Sequence, residues 1–254
     1  MADHQPRPVA LVTGASRQIG IGAAIAVALA TSGWNVGTTY WRPYDATMPW
    51  GSDNGAVERL DTQLRVCGAA TAPVEADLAD ITTPTLVFDQ VEAALGPVTT
   101  LVLAHCQSVD SGILDTTVES FDLHFAVNAR ATWLLIREFG RRYVADPPGR
   151  GRIISITSDH TAGNLPYGAS KGAMDRITLA AAREFAHLRI TANVINPGAT
   201  DTGWMSTEQM AASTQNVPLG RVGTAQDCAN LVRFLCSEQG GWINGQLLYS
   251  NGGV

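Results

Sequence analysis

Val9-Ala-Leu-Val-Thr13-Gly-Ala-Ser-Arg-Gln-Ile-Gly20-Ile-Gly22, running on into Ala23-Ala-Ile-Ala-Val-Ala-Leu-Ala30, decides the fold. The first residues form an apolar run of strand length, the middle is glycine-rich, and the last third is small, apolar and of helix length. In that order, glycines let the backbone approach a phosphate, while the helix start offers unpaired N–H groups and the positive end of a dipole. A plain tight turn would show the same glycines, so the flanking strand and helix carry the reading.

Working outward, the alternation continues. Strands are expected near 9–13, 35–40, 70–75, 99–104, 151–157, 189–195 and 246–250, with helices near 20–32, 54–67, 83–95, 117–145, 166–187 and 224–238. Such alternation means α/β: one doubly wound parallel sheet with helices on both faces. A length of 254 residues suits one domain over 1–254 without a second. The long connection from Tyr40 to Gly55 is expected to be irregular, its aromatics either shielding the adenosine end of a dinucleotide or packing on the sheet edge.

Bulk properties exclude several classes. Apolar residues make up 45% and charged residues 16%, which fits a compact core, and the net charge of −6 disfavours nucleic acid and anionic membrane surfaces as partners. Residues 1–8 are polar, with no apolar segment of signal or membrane length. Cys67, Cys106, Cys228 and Cys236 lack Cys-x-x-Cys spacing, and His4, His124, His160 and His187 lack ligand spacing, so no metal is expected. Free thiols fit a reducing, cytoplasmic setting.

The chemistry is expected from Tyr167-Gly-Ala-Ser-Lys171. Residues i and i+4 share a helix face, with Cβ atoms about 5–6 Å apart. An ammonium there is expected to lower the phenol from its usual value near 10, and reaching neutrality asks for roughly 4 kcal/mol. Tyr167 would then serve as a general acid/base for a carbonyl or alcohol oxygen.

With these two motifs the chain resembles the short-chain dehydrogenase/reductase family from Val9 to Asn251-Gly-Gly253, and in motif style its 3-oxoacyl-acyl-carrier-protein reductases. The resemblance implies a Rossmann-type fold and an NAD(P)-dependent oxidoreductase. Ser158, ending Gly151-Arg-Ile-Ile-Ser-Ile-Thr-Ser158, would orient the substrate oxygen; Asn128 would hold a water linking Lys171 to solvent, through its side chain or carbonyl. Gly14, Ser16, Arg17, Gly20 and Ile21 would line the phosphate cradle. Asp77 and Leu78 would meet the adenine, while Pro197, Gly198, Thr200 and Thr202 would fix the nicotinamide end; Tyr167 and Lys171 would touch the cofactor too. Trp133-Leu-Leu-Ile136 and the apolar C-terminal segment add to the family's implication of a homotetramer.

The end of the second strand lacks the acid that grips an NAD ribose. Arg17 and Arg42 are therefore expected to meet a 2′-phosphate, favouring NADPH over NADH. The expected activity is NADPH-dependent reduction of a small-molecule ketone, 3-oxoacyl or similar, to a secondary alcohol. The rivals are an NAD-dependent alcohol dehydrogenase and a catalytically silent dinucleotide sensor; the set Ser158, Tyr167, Lys171 and Asn128 weighs against silence.

The chain departs from the family pattern in three places. Gln18-Ile19 look like an insertion in the glycine turn. Leu103-Ala-His-Cys106 stands where Asn-Asn-Ala-Gly is usual, so the usual asparagine contacts are absent. Only eight residues separate Ser158 from Tyr167, which is expected to widen the mouth near His160 and Leu165. Residues 203–217 are expected to form a substrate lid, with Trp204 and Met205 lending it apolar character.

Overall fold

In the computed structural model, residues 7–144 and 151–254 are described. The polar residues 1–6, and position 145 at the expected end of a helix, lie outside the described residues. β1 (Val9–Thr13) is buried at every position, as a central strand covered on both faces must be. Its neighbours are β2 (Asn35–Tyr40) and β4 (Val98–Leu103), both parallel to it. β3 (Thr71–Glu75), β5 (Arg152–Ile156), β6 (Thr191–Asn196) and β7 (Leu247–Tyr249) complete a parallel sheet of order β3-β2-β1-β4-β5-β6-β7 among the described residues. The chain order reverses between β1 and β4, so their carboxyl ends leave a crevice at that point.

Alternate strand residues feed two cores. Val9, Leu11, Leu101 and Ile153 pack with helices α4 (Thr83–Leu95), α6 (Ala131–Arg142) and α7 (Leu165–Glu184) on one face. Ala10, Val12, Val102 and Ile154 pack with α1 (Ile21–Thr31), α3 (Ala56–Val66) and α9 (Ala225–Cys236) on the other. The period of two along each strand sorts these sets.

Three elements differ from expectation. The helix expected over 117–145 is α5 (Val118–His124), a π-helical stretch (Phe125–Arg130) and then α6. The π stretch shifts the backbone hydrogen-bond register just where Asn128 lies, a placement common at functional sites. The Tyr40–Gly55 connection contains a short helix, α2 (Arg42–Thr47), with proline in its first turn. The lid region holds α8 (Thr207–Asn216), opened by a capping box between Ser206 and Gln209. It buries no residue, so no apolar stripe marked it. Within Trp133-Leu-Leu-Ile136 only Trp133 faces outward; the other three are core.

Gly37, buried in β2, admits α4 to the sheet: a Cβ there would lie 2.7 and 2.8 Å from the two methyls of fully buried Val91. Gly37→Val is expected to cost about 1–3 kcal/mol by overpacking. Urea unfolding checks this as a lowered midpoint at unchanged slope.

Candidate functional site

The crevice at the strand ends opens into a cavity of about 670 Å³, within the roughly 300–1,000 Å³ usual for small-ligand sites. One wall is the glycine turn. Gly14 has φ +72°, and a Cβ on it would come within 2.6 Å of the His105 Cα and 2.7 Å of the Ala104 carbonyl. A Cβ on Gly22 would strike the Gly14 carbonyl. Only bare backbone fits, and the N-cap of α1, Gly20, has no side-chain cap. The first-turn N–H groups are thereby left for an anion, which is what a dinucleotide pyrophosphate requires.

Gly14, Ser16, Arg17, Gly20 and Ile21 line this cavity. So do Asp77 and Leu78 beyond β3, and Pro197, Gly198, Thr200 and Thr202 beyond β6. Ser158, Tyr167 and Lys171 line it as well. Ser158 sits two residues past β5, while Tyr167 and Lys171 lie one turn apart at the start of α7.

Lys171 is 2% exposed. Its ammonium donates to the Ile156 carbonyl at 2.9 Å and the His105 carbonyl at 3.3 Å, and lies 5.8 Å from the centre of the Tyr167 ring. The expected lowering of the Tyr167 phenol is not found. Burial pushes it above the ordinary value, nearby Cys106 adds to that, and a hydrogen bond with Ser158 opposes it. Burial also lowers Lys171. Desolvation outweighs the cation, which is held beside the ring by two carbonyls. Burial thus favours the protonated phenol at Tyr167.

Asn128 is fully buried but does not line the cavity. Its Oδ1 accepts from the Gln107 N–H at 2.7 Å, and its Nδ2 donates to the Gln107 carbonyl at 2.9 Å and to Ser170 Oγ at 2.8 Å. The side chain expected to hold a water is committed to fastening residue 107 to α7, and its carbonyl accepts from Thr132 Oγ1 at 2.8 Å.

Arg42 also departs from expectation. Its guanidinium pairs with Glu75 at 3.0 Å and Glu58 at 3.3 Å, stacks over Tyr40, and lies outside the cavity lining. Both carboxylates come from elements distant in sequence, α3 and β3, which the strand-end pattern could not reveal.

The mouth is built differently from the sequence expectation. Neither His160 nor Leu165 lines the cavity. The short Ser158–Tyr167 connection is drawn onto residues 108–111 instead: Asn164 Nδ2 donates to Ser108 Oγ at 2.9 Å and Asp110 Oδ1 at 2.6 Å, and the Leu165 N–H to the Ser111 carbonyl at 2.9 Å. Across the opening, Trp50 stacks on Trp204 with centroids 5.2 Å apart, and the Arg17 guanidinium lies 4.0 Å over the Trp50 ring. Buried Asp45 accepts from Trp50 Nε1 at 3.1 Å, and Tyr44 donates to the Ser108 carbonyl at 3.3 Å. Tyr44, Asp45 and Trp50 thus join the site through the connection whose aromatics left two readings open. All three line the cavity. Among the described residues no cluster of His, Cys, Asp or Glu could hold a metal.

Residues 14–254 match the family model described as "Enoyl-(Acyl carrier protein) reductase". The chain is 34% identical to "Uncharacterized oxidoreductase YjdA" of Bacillus subtilis, covering 98% of each protein. It is 34% identical to the "NADPH-dependent aldehyde reductase-like protein, chloroplastic" of Arabidopsis thaliana, over 96% of this chain and 93% of that one. Among solved structures, a short-chain dehydrogenase from Burkholderia cenocepacia in complex with NADP superposes with a TM-score of 0.85 at 30% identity, over 98% and 97% of the two chains. A blue fluorescent protein from a metagenomic library, in complex with NADPH, gives 0.86 at 30% identity and 98% of both.

Trp50→Ala removes the surface shared by Arg17 and Trp204. Aromatic pairs contribute about 0.5–1.5 kcal/mol beyond burial, so the segment around Trp204 is expected to detach more often. Limited chymotrypsin digestion checks this as faster cleavage at Trp204 with unchanged cleavage elsewhere.

Proposed function

The chain belongs to the short-chain dehydrogenase/reductase family of NAD(P)-dependent oxidoreductases, and we propose that it reduces an aldehyde or ketone to an alcohol with NADPH, Tyr167 acting as the general acid. The observation that carries this reading is that Ser158, Tyr167 and Lys171 line the same cavity as the glycine turn. NADPH, when bound, supplies the hydride.

The chain's own residues do the rest. The glycine turn and the N-terminus of α1 would hold the pyrophosphate, and Lys171 the ribose beside the nicotinamide. Of the two guanidiniums available for a 2′-phosphate, Arg42 is committed to Glu58 and Glu75, which leaves that duty to Arg17. Ser158 would donate to the carbonyl oxygen as it gains charge, an oxyanion-type contact. Tyr167, kept protonated by burial, would pass its proton to that oxygen. The Lys171 ammonium would then favour the phenolate left behind.

Tyr44, Trp50, Trp204 and Met205 line the mouth and suit an apolar or ring-bearing carbonyl compound, including a 3-oxoacyl chain. The aldehyde reductase name of the Arabidopsis relative points to the same reaction class. We also propose a cytoplasmic homotetramer. All four cysteines are free, and among the described residues no helix is long and apolar enough to cross a membrane. Trp133 and Trp242 stand 48% and 98% exposed, surfaces that association would cover. Static light scattering is expected to give four chains per particle; a stable monomer refutes the assembly.

Tyr167→Phe is expected to lower kcat by about 10²–10⁴. NADPH should bind the variant as tightly as the wild type, and more tightly than NADH, in fluorescence titrations. More than a tenth of wild-type turnover across an aldehyde and ketone panel would refute the assignment.

A further inference from the structure

His105 lies in Leu103-Ala-His-Cys106, the stretch that stands where the family usually has Asn-Asn-Ala-Gly, and its ring is engaged on both sides. Nδ1 lies 2.7 Å from Thr13 Oγ1 at the end of β1, and Nε2 lies 3.0 Å from the Val127 carbonyl in the π-helical stretch. A carbonyl only accepts, so Nε2 carries the proton; Nδ1 is then an acceptor, and Thr13 donates to it. Thr13 Oγ1 in turn accepts from the Ala104 N–H at 3.1 Å. The relay runs one way: Ala104 N–H to Thr13 O–H to His105 Nδ1, and His105 Nε2–H to Val127 O.

The same residue's backbone carbonyl accepts from the Lys171 ammonium at 3.3 Å. The glycine turn lies close beside that segment: a Cβ on Gly14 would come within 2.6 Å of the His105 Cα and 2.7 Å of its N. Burial, with Lys171 nearby, pushes the imidazole down to about 3, so it stays neutral. The charged or titratable groups around the junction are Lys171 and Tyr167 on α7, Asp175 one turn further along it, and Cys106 beside the ring's own backbone.

We propose that His105, as the neutral Nε2–H tautomer, is a positioning residue for Lys171: its ring ties the end of β4 to β1 and to the π-helical stretch, so that its carbonyl holds the ammonium where it serves Tyr167 and the cofactor ribose. This rests on the roles given to Tyr167 and Lys171 above. The site carries its own substitute for the missing asparagine contacts, built from an imidazole with both nitrogens in use.

The test compares two ligands of one cavity. NADPH reaches Lys171 through its nicotinamide ribose; 2′,5′-ADP, which lacks that half, does not. His105→Leu and Thr13→Val are each expected to weaken NADPH by about tenfold or more, the scale of one lost charged hydrogen bond, with 2′,5′-ADP changed less than about twofold. His105→Gln, whose amide N–H can still reach the Val127 carbonyl, is expected to recover most of the loss. In the wild type, nitrogen-15 NMR of labelled histidine is expected to show the Nε2–H tautomer between about pH 5 and 8 without titration. Equal weakening of both ligands, weakening of neither, no rescue by glutamine, or an Nδ1–H or titrating ring would overturn the proposal. The tautomer needs no variant to fold, and the ligand comparison needs no turnover. A Tyr167→Phe enzyme that stays active would sink the catalytic assignment alone.

Discussion

Everything at this site depends on how closely the carboxyl ends of β1 and β4 approach one another. The sheet order reverses there, and the backbone of Gly14 runs within van der Waals contact of Ala104 and His105. No side chain fits between them. That contact aims the glycine turn at the crevice on one side and delivers the His105 carbonyl to Lys171 on the other. The glycine turn and the Tyr167–Lys171 pair therefore meet at one junction, and their spacing is set by main chain.

Around this junction, burial and charge compete over Tyr167. A lysine one helical turn away argues for a lowered phenol, yet the phenol is raised. Removing the hydroxyl from water disfavours its ionised form, and the ammonium is drawn to two carbonyls instead of the phenolic oxygen. A reductase profits from this balance. In the proposed reaction the phenol would hold its proton until negative charge develops on the substrate oxygen, and the cation would then steady the phenolate. The same cation in water would be worth far less, because solvent would screen it.

The outer part of the cavity follows another logic. Arg17 from the glycine turn, Trp50 from the segment after α2 and Trp204 before α8 stack in sequence across the mouth. Three segments distant in sequence meet there through ring faces. Asp45, buried and bonded to the Trp50 indole, supplies the negative charge next to which Arg17 rests.

Read alone, the sequence determined the alternation of strands and helices, the parallel sheet, the glycine turn and the Tyr167–Lys171 pairing. Each depends on spacing within one element: period two in β1, small residues through α1, one helical turn in α7. The strand and helix ranges were legible for the same reason, and α8 was missed because it has no buried face to mark it. Tertiary structure decided what needed partners from elsewhere in the chain. Glu58 and Glu75 took Arg42 out of the cavity, Gln107 and Ser170 occupied the Asn128 side chain, and Thr13 with Val127 gave the His105 ring its orientation. Local spacing says which side chains share an element's face; only the folded chain says which distant donor or acceptor stands opposite, because that depends on how whole elements pack.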